Sequence, residues 1–381
     1  MRVRIGMLAA SASLTLSAVS PAVDASARDT APGDLVSAEP SAFHPLPGRP
    51  SASAAWKIHY RSTSATGEPN VVSGTVIVPE DGRTGPRPLI SYAFGTLGLA
   101  DPCAPSANLP KGGLAEGGLV DRLLRRGWAV VVTDYEGLGT PGEHTYTVGR
   151  SAGRAVLDAA RAAIRLPQAG LSAESPVGIV GYSQGGQAAG WAAELHSSYA
   201  PELRVKGTAT GGVPARLEEL PEIHDGSSGA GLLLMMAAGQ DAAFPELKLD
   251  SYLNADGRTL VQAVRSNCLA IDTTVGAYKK MSDLTVKNPL STPAWRNRLH
   301  ESDLGTRAPG SPVYLYHATG DELVPYDQGT GLRRSWCARG GNVHWRAVLL
   351  GGHASGVVTE SASATAWLAE RFAGRRTAGN C

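Results

Sequence analysis

The sequence predicts an α/β fold: a mostly parallel central sheet flanked by helices, with a helical cap inserted before the last core strands. Three observations predict it. Short, nearly apolar runs alternate with stretches of helical apolar spacing, the pattern of a parallel sheet covered on both faces. The alternation stops between residues 213 and 300, where only helical spacing is found, and then resumes. In the first half, Gly181-Tyr182-Ser183-Gln184-Gly185 joins a strand-like run directly to an Ala-rich helical stretch.

The chain has 381 residues and a net charge of +1, so it carries no basic footprint for nucleic acid. Residues 1–27 read as a secretory signal peptide. They show a basic start at Arg2 and Arg4, an apolar stretch too short to span a bilayer, and Ala25-Ser26-Ala27 for cleavage. No later segment is long and apolar enough to be transmembrane, and the expectation is a secreted, extracellular protein. About 350 residues remain, enough for one α/β core with an insertion. Residues 28–53 are rich in Pro, Ser and Ala and predict an extended or poorly packed arm.

The first part of the core, residues 54–212, opens with antiparallel strands at 56–60 and 71–79. Strands follow at 88–94, 128–134, 175–180 and 205–211, with helices over 114–126, 148–166 and 184–195. The strand at 128–134 is apolar almost throughout, as a strand buried on both faces must be. The cap, residues 213–300, has helix candidates at 231–238, 260–264 and 275–281. The second part of the core, residues 301–381, predicts strands at 312–317 and 342–350, each followed by a helix, 326–339 and 358–373.

A serine at a strand-to-helix turn between glycines is a nucleophile elbow, with its hydroxyl clear of the backbone. Serine needs a base, and the base needs an acid to orient it. His353, in the small-residue loop 351–356 after the last strand, is the candidate base at the carboxyl edge of the sheet. His317, at a strand end, is its rival, and His344 reads as structural. Asp321, in Gly320-Asp321-Glu322-Leu323-Val324-Pro325, is the candidate acid, with Glu322 and Asp327 as competitors. A helix N-cap would also suit Asp321. The oxyanion of a tetrahedral intermediate needs two donors. The backbone N–H of Gln184 is one candidate, and Gly95, in the loop after the strand ending at Phe94, is the other. No cysteine or histidine cluster has zinc spacing, so no metal and no cofactor is expected. Cys103, Cys268, Cys337 and Cys381 form an even set in an exported chain, which predicts two disulfides and permits three pairings.

These motifs resemble the secretory lipase family of fungi and actinobacteria, of the Candida antarctica A type, on the α/β-hydrolase fold. The matching stretches are 91–98 leading into Cys103-Ala104-Pro105-Ser106, then Asp134-Tyr135-Glu136-Gly137-Leu138-Gly139, 153–162, 181–186, 320–325 and Gly352-His353. They run through most of the mature chain in the family's order. Phe94 departs from the pattern, standing where many bacterial relatives have a histidine. The resemblance implies a capped α/β-hydrolase acting on carboxylic esters, with Ser183, Asp321 and His353 in the triad positions. Together with chain proximity it favours Cys103 with Cys268 and Cys337 with Cys381.

The resulting expectation is a secreted serine ester hydrolase of triacylglycerol lipase type, taking small-molecule or lipid esters and working at a lipid–water interface. Short-chain carboxylesterase, polyester or cutin-type esterase and acyltransferase are the alternatives on the same fold. A cutinase shares the elbow string but is shorter and lacks the insertion. A non-catalytic binding protein would have lost a triad residue, and none is missing. The apolar run 232–238 reads equally as plain cap core or as the wall of an acyl tunnel.

Overall fold

β-Branched runs buried on both faces hold the sheet together. The computed structural model describes Met1 and residues 31–381, so the expected signal peptide and its cleavage site lie outside the described residues. Nine strands form one sheet among the described residues: β1 (Leu35–Ser41), β2 (Ser53–Thr63), β3 (Pro69–Pro79), β4 (Leu89–Ala93), β5 (Ala129–Thr133), β6 (Val177–Tyr182), β7 (Val205–Gly211), β8 (Val313–Ala318) and β9 (Val343–Val348). Their order is β1-β2-β3-β5-β4-β6-β7-β8-β9. The first three pairings are antiparallel and the remaining five parallel. Every residue of β4 and β5 is buried. Each buried valine or isoleucine there adds roughly 1.5–3 kcal/mol.

The helices are α1 (Pro105–Asn108), α2 (Gly117–Leu124), α3 (Gly149–Arg165), α4 (Gln184–Tyr199), α5 (Leu220–His224), α6 (Ala230–Ala243), α7 (Ala255–Ser266), α8 (Leu269–Gly276), α9 (Met281–Leu284), α10 (Pro293–His300), α11 (Tyr326–Ala338) and α12 (His353–Phe372). Alternate strand residues point to opposite faces. Leu89, Val131 and Ile179 meet the alanine-rich sides of α3 and α4. Ile90, Val130 and Val132 meet α2 and α12 through Leu123, Leu124 and Leu368. The segment between β7 and β8 holds α5 to α10 around its own core, where α6 packs Leu233, Leu234 and Met235 with Val264 and the fully buried Trp295.

Three expectations need correction. The 28–53 arm carries β1, which pairs with β2 from Leu35↔Tyr60 to Ser41↔Ala55. This edge strand is held by its backbone ladder with few buried side chains, so its polar composition concealed it. The helix expected over 275–281 is instead the turn between α8 and α9, with Tyr278 at φ 60°. α8 ends where Gly276 meets Gly231: a Cβ there would stand 2.4 Å from the Gly231 Cα. The last helix starts at His353, not at 358, so His353 lies in a first helical turn and not in a loop. Ser355 closes that turn by accepting the Gly352 N–H at 2.9 Å.

Two disulfides are present, Cys103–Cys268 and Cys337–Cys381, separated by 165 and 44 residues. The first is reinforced by the backbone, since the Leu269 N–H donates to the Leu97 carbonyl at 2.9 Å. Loop-closure entropy grows with the logarithm of length. Replacing Cys103 and Cys268 by alanine is therefore expected to destabilise the fold by about 1 kcal/mol more than replacing Cys337 and Cys381. Denaturant unfolding of the two double variants checks the ranking.

Candidate active site

Ser183 stands between β6 and α4 at φ 59° and ψ −123°, a conformation costly for a residue with a Cβ. Its neighbours hold it there. The Ser183 N–H donates to the Gly211 carbonyl at 3.0 Å, and its own carbonyl accepts the Gln187 N–H at 2.9 Å. Strand, helix and adjacent strand can come this close only because Gly181 and Gly185 lack side chains. A Cβ at Gly181 would lie 2.0 Å from the Gly185 carbonyl oxygen, and one at Gly185 would lie 2.0 Å from that of Ala93.

The parallel order carries two further groups to the same edge. His353 Nε2 is 2.9 Å from Ser183 Oγ, and its Nδ1 faces the two Asp321 oxygens at 2.8 and 2.9 Å. With Nδ1–H donating to the carboxylate, Nε2 is the acceptor that faces the hydroxyl. The Asp321 side chain is fully buried. Burial opposes its ionisation, but hydrogen bonds from His317, His353 and the Val324 N–H outweigh it and hold the carboxyl well below the usual carboxylate range.

The competitors named from sequence have other places. His317 Nε2 donates to the Val324 carbonyl at 2.8 Å and lies 3.4 Å from Asp321 Oδ2, while the hydrogen bond to Ser183 Oγ is made by His353. Glu322 accepts the backbone N–H of His353 at 3.0 Å, fixing the start of α12. His344 stacks on Tyr314 with ring centres 5.1 Å apart. Tyr182, beside the serine, donates its hydroxyl to the His353 carbonyl at 2.7 Å.

The oxyanion side is less simple. Gln184 opens α4, so its N–H has no intrahelical acceptor. Gly95 adjoins the serine, yet its N–H donates to Glu116 Oε1 at 2.9 Å. The expectation that Gly95 offers a free donor is therefore corrected, because the turn before α2 places a carboxylate on that N–H. Glu116 also accepts the Tyr92 hydroxyl at 2.7 Å. Burial raises its pKa, against the pull of those two hydrogen bonds and of His353. Sequence reading missed Glu116, which sits at the start of the helix expected over 114–126, where no motif marks it as facing the elbow. It also missed His144, whose Nε2 lies 3.0 Å from the Gln184 side-chain Nε2 while Nδ1–H donates to the Glu136 carbonyl. No spacing links His144 to the elbow.

Above Ser183 lies a cavity of about 590 Å³. Leu220, Leu232, Leu233, Met236 and Leu269 from the helical insertion form one wall, and Leu119, Arg122 and Val357 from α2 and α12 form another. A mostly parallel sheet that presents a hydroxyl to an imidazole at its carboxyl edge, under inserted helices, is the architecture of the α/β-hydrolases. The secretory lipase profile matches residues 114–380, and the chain belongs to that family. A secreted triacylglycerol lipase of Malassezia globosa is 31% identical over 86% of this chain and 74% of its own length. A Mycobacterium tuberculosis protein described as a probable inactive lipase is also 31% identical, over 86% of this chain and 75% of its own. Candida antarctica lipase A in its closed state superposes with a TM-score of 0.82 at 24% identity, covering 92% of this chain and 84% of that one. A rice cell wall degrading esterase of Xanthomonas oryzae gives 0.73 at 22%, covering 91% and 100%. The chain is a carboxylic-ester hydrolase.

Glu116→Ala frees the Gly95 N–H and loosens its loop; kcat is expected to fall about 10- to 100-fold with KM little changed. Steady-state kinetics on a soluble ester measure the split. A second expectation concerns acid. Burial lowers the pKa of His144 to about 4, against ~6.5 for a free imidazole. The unfolded chain therefore takes up the proton first as pH falls. The His144 contribution is complete above pH ~6.5 and is lost towards pH 4, at up to about 1.4 kcal/mol per pH unit. Urea midpoints between pH 7 and 4 are expected to fall less steeply in His144→Gln than in the wild type.

Proposed function

We propose that the chain is a secreted lipase that hydrolyses long-chain acyl esters of the triacylglycerol type, with Ser183 as nucleophile, His353 as base and Asp321 as the carboxylate that orients it. One observation carries the reading: an unbroken hydrogen-bond chain from Asp321 through His353 to Ser183, at the floor of a largely apolar cavity of about 590 Å³. Ser183 Oγ attacks the ester carbonyl carbon as His353 Nε2 takes its proton. The same nitrogen then protonates the departing alcohol oxygen, leaving an acyl-serine. Water, deprotonated by His353, attacks that ester and releases the acid. The Gln184 N–H donates to the oxyanion. With the Gly95 N–H committed to Glu116, the second donation falls to Thr96, the next residue on the cavity wall.

Several observations support the substrate class and the setting. Relatives of about 30% identity are named secreted triacylglycerol lipases, and residues 1–27 have the pattern of an export signal. Among the described residues, no helix is long and apolar enough to cross a membrane. Ile223, Ile271 and Val358 are exposed and are next to, or part of, the cavity lining, which suits a mouth that meets lipid.

Ser183→Ala removes the group that forms the covalent intermediate, and turnover is expected to drop on the order of a million-fold with the melting temperature retained. A fluorophosphonate probe is expected to label Ser183 alone. Initial rates on p-nitrophenyl esters of rising chain length, with emulsified triglyceride alongside, address the substrate. A rate maximal for acetate and negligible on the emulsion would refute the long-chain assignment and leave a short-chain esterase.

A further inference from the structure

Arg87, Arg161 and Arg265 are matched by the carboxylates of Asp81, Asp158 and Asp241, whereas Arg154 and Arg371 meet the backbone carbonyls of Ser64 and Arg376. Arg122, on α2, likewise has no carboxylate partner among the described residues, but it alone of these faces the cavity over Ser183. Its Nη1 donates to Ser361 Oγ of α12 at 2.9 Å, and no carboxylate of the described residues lies within ion-pair distance of it. It is also the only lysine or arginine among the residues lining the cavity over Ser183. The carboxylate on the same wall, Glu116, is engaged on both oxygens by the Gly95 N–H and the Tyr92 hydroxyl. Arg122 is partly out of solvent and its side chain has no carboxylate counter-charge among the described residues. Its Nε and Nη2 remain available for the paired contact that a planar fork makes with an anion.

A small cleft of about 30 Å³ shares Leu119, Arg122, Tyr182 and Val357 with the main cavity, and adds Ser361 and Thr365. The cavity that Ser183 lines thus combines the apolar Leu119 and Val357 with the cationic Arg122. We propose that Arg122 is a specificity-determining anion site that widens the substrate range beyond neutral acyl esters: between two esters of equal length, the one whose acyl chain carries an anionic group, carboxylate or phosphate, beyond an apolar spacer is taken in preference. This rests on Ser183 being the nucleophile, since that sets where the scissile carbonyl lies. The competing account makes Arg122 a bracket between α2 and α12 that affects stability alone.

The test compares p-nitrophenyl half-esters of dicarboxylic acids with p-nitrophenyl alkanoates of the same length, and ω-phosphonoalkanoate esters distinguish a phosphate from a carboxylate preference. The wild type is expected to favour the anionic ester by about tenfold or more in kcat/KM, mainly through KM, with the preference shrinking as salt rises. Arg122→Gln keeps a donor for Ser361 and is expected to abolish the preference, and Arg122→Lys to retain part of it. An unchanged ratio in Arg122→Gln, or a wild-type preference for the neutral ester, overturns the proposal. A binding readout separates it from the catalytic assignment. Calorimetry with a dicarboxylic half-amide on Ser183→Ala, with and without Arg122→Gln, reads the anion site whether or not either ester turns over. Equal affinities there also overturn it.

Discussion

The structure depends on one steric constraint, the absence of side chains where β4, β6 and α4 meet. At Gly181 and Gly185 a single added carbon would fall 2.0 Å from a carbonyl oxygen of the neighbouring backbone. That contact holds Ser183 at a positive φ and turns its hydroxyl out of the sheet. The register Ala93↔Gly181 then brings the loop after β4 beside the serine. β8 and β9, running parallel to β6 two and three strands away, deliver Asp321 and His353 from the same edge. The hydrogen-bond chain through His353 follows from sheet order once the turn is closed.

Around this turn the carboxylates are divided by the partners that fill them. Asp321 is ionised because two imidazoles and a backbone N–H face it. Glu322 is occupied by the backbone of His353, so it orients the base without touching its ring. Glu116 is occupied by the Gly95 N–H and the Tyr92 hydroxyl, and positions the opposite loop. Each side of the serine is thus held by an acidic side chain acting on backbone. A relative of 31% identity is described as a probable inactive lipase; in this chain His353 Nε2 stands 2.9 Å from Ser183 Oγ.

Much of this was legible in the sequence. Buried parallel strands are apolar along their length, so β4, β5, β6 and β8 stood out, while β7 and β9 were read from the alternation with helices, and the elbow could be read because glycine and serine occur where strand period gives way to helix period. β1 was hidden because an edge strand held by its ladder needs few apolar side chains. The start of α12 was hidden because its first turn is closed by Ser355 and Glu322 from outside the helical pattern. Glu116 and His144 act through backbone and amide groups brought together only by the tertiary fold, and no spacing rule reaches them. Gly95 shows the same limit, since its position beside the serine was inferable but the direction of its N–H was not.

The bridge between Cys103 and Cys268 has a kinematic consequence. The loop after β4 is joined to the head of α8 covalently and by the Leu269 N–H to Leu97 carbonyl bond, so those two points cannot separate. The helical insertion is therefore pinned to the core along one side, like a shutter on a fixed post. Translation of the whole insertion away from Ser183 is forbidden while the pin holds. Any widening of the cavity must therefore leave the head of α8 in place, and the start of α6, packed on α8 through Gly231 and Gly276, is held with it.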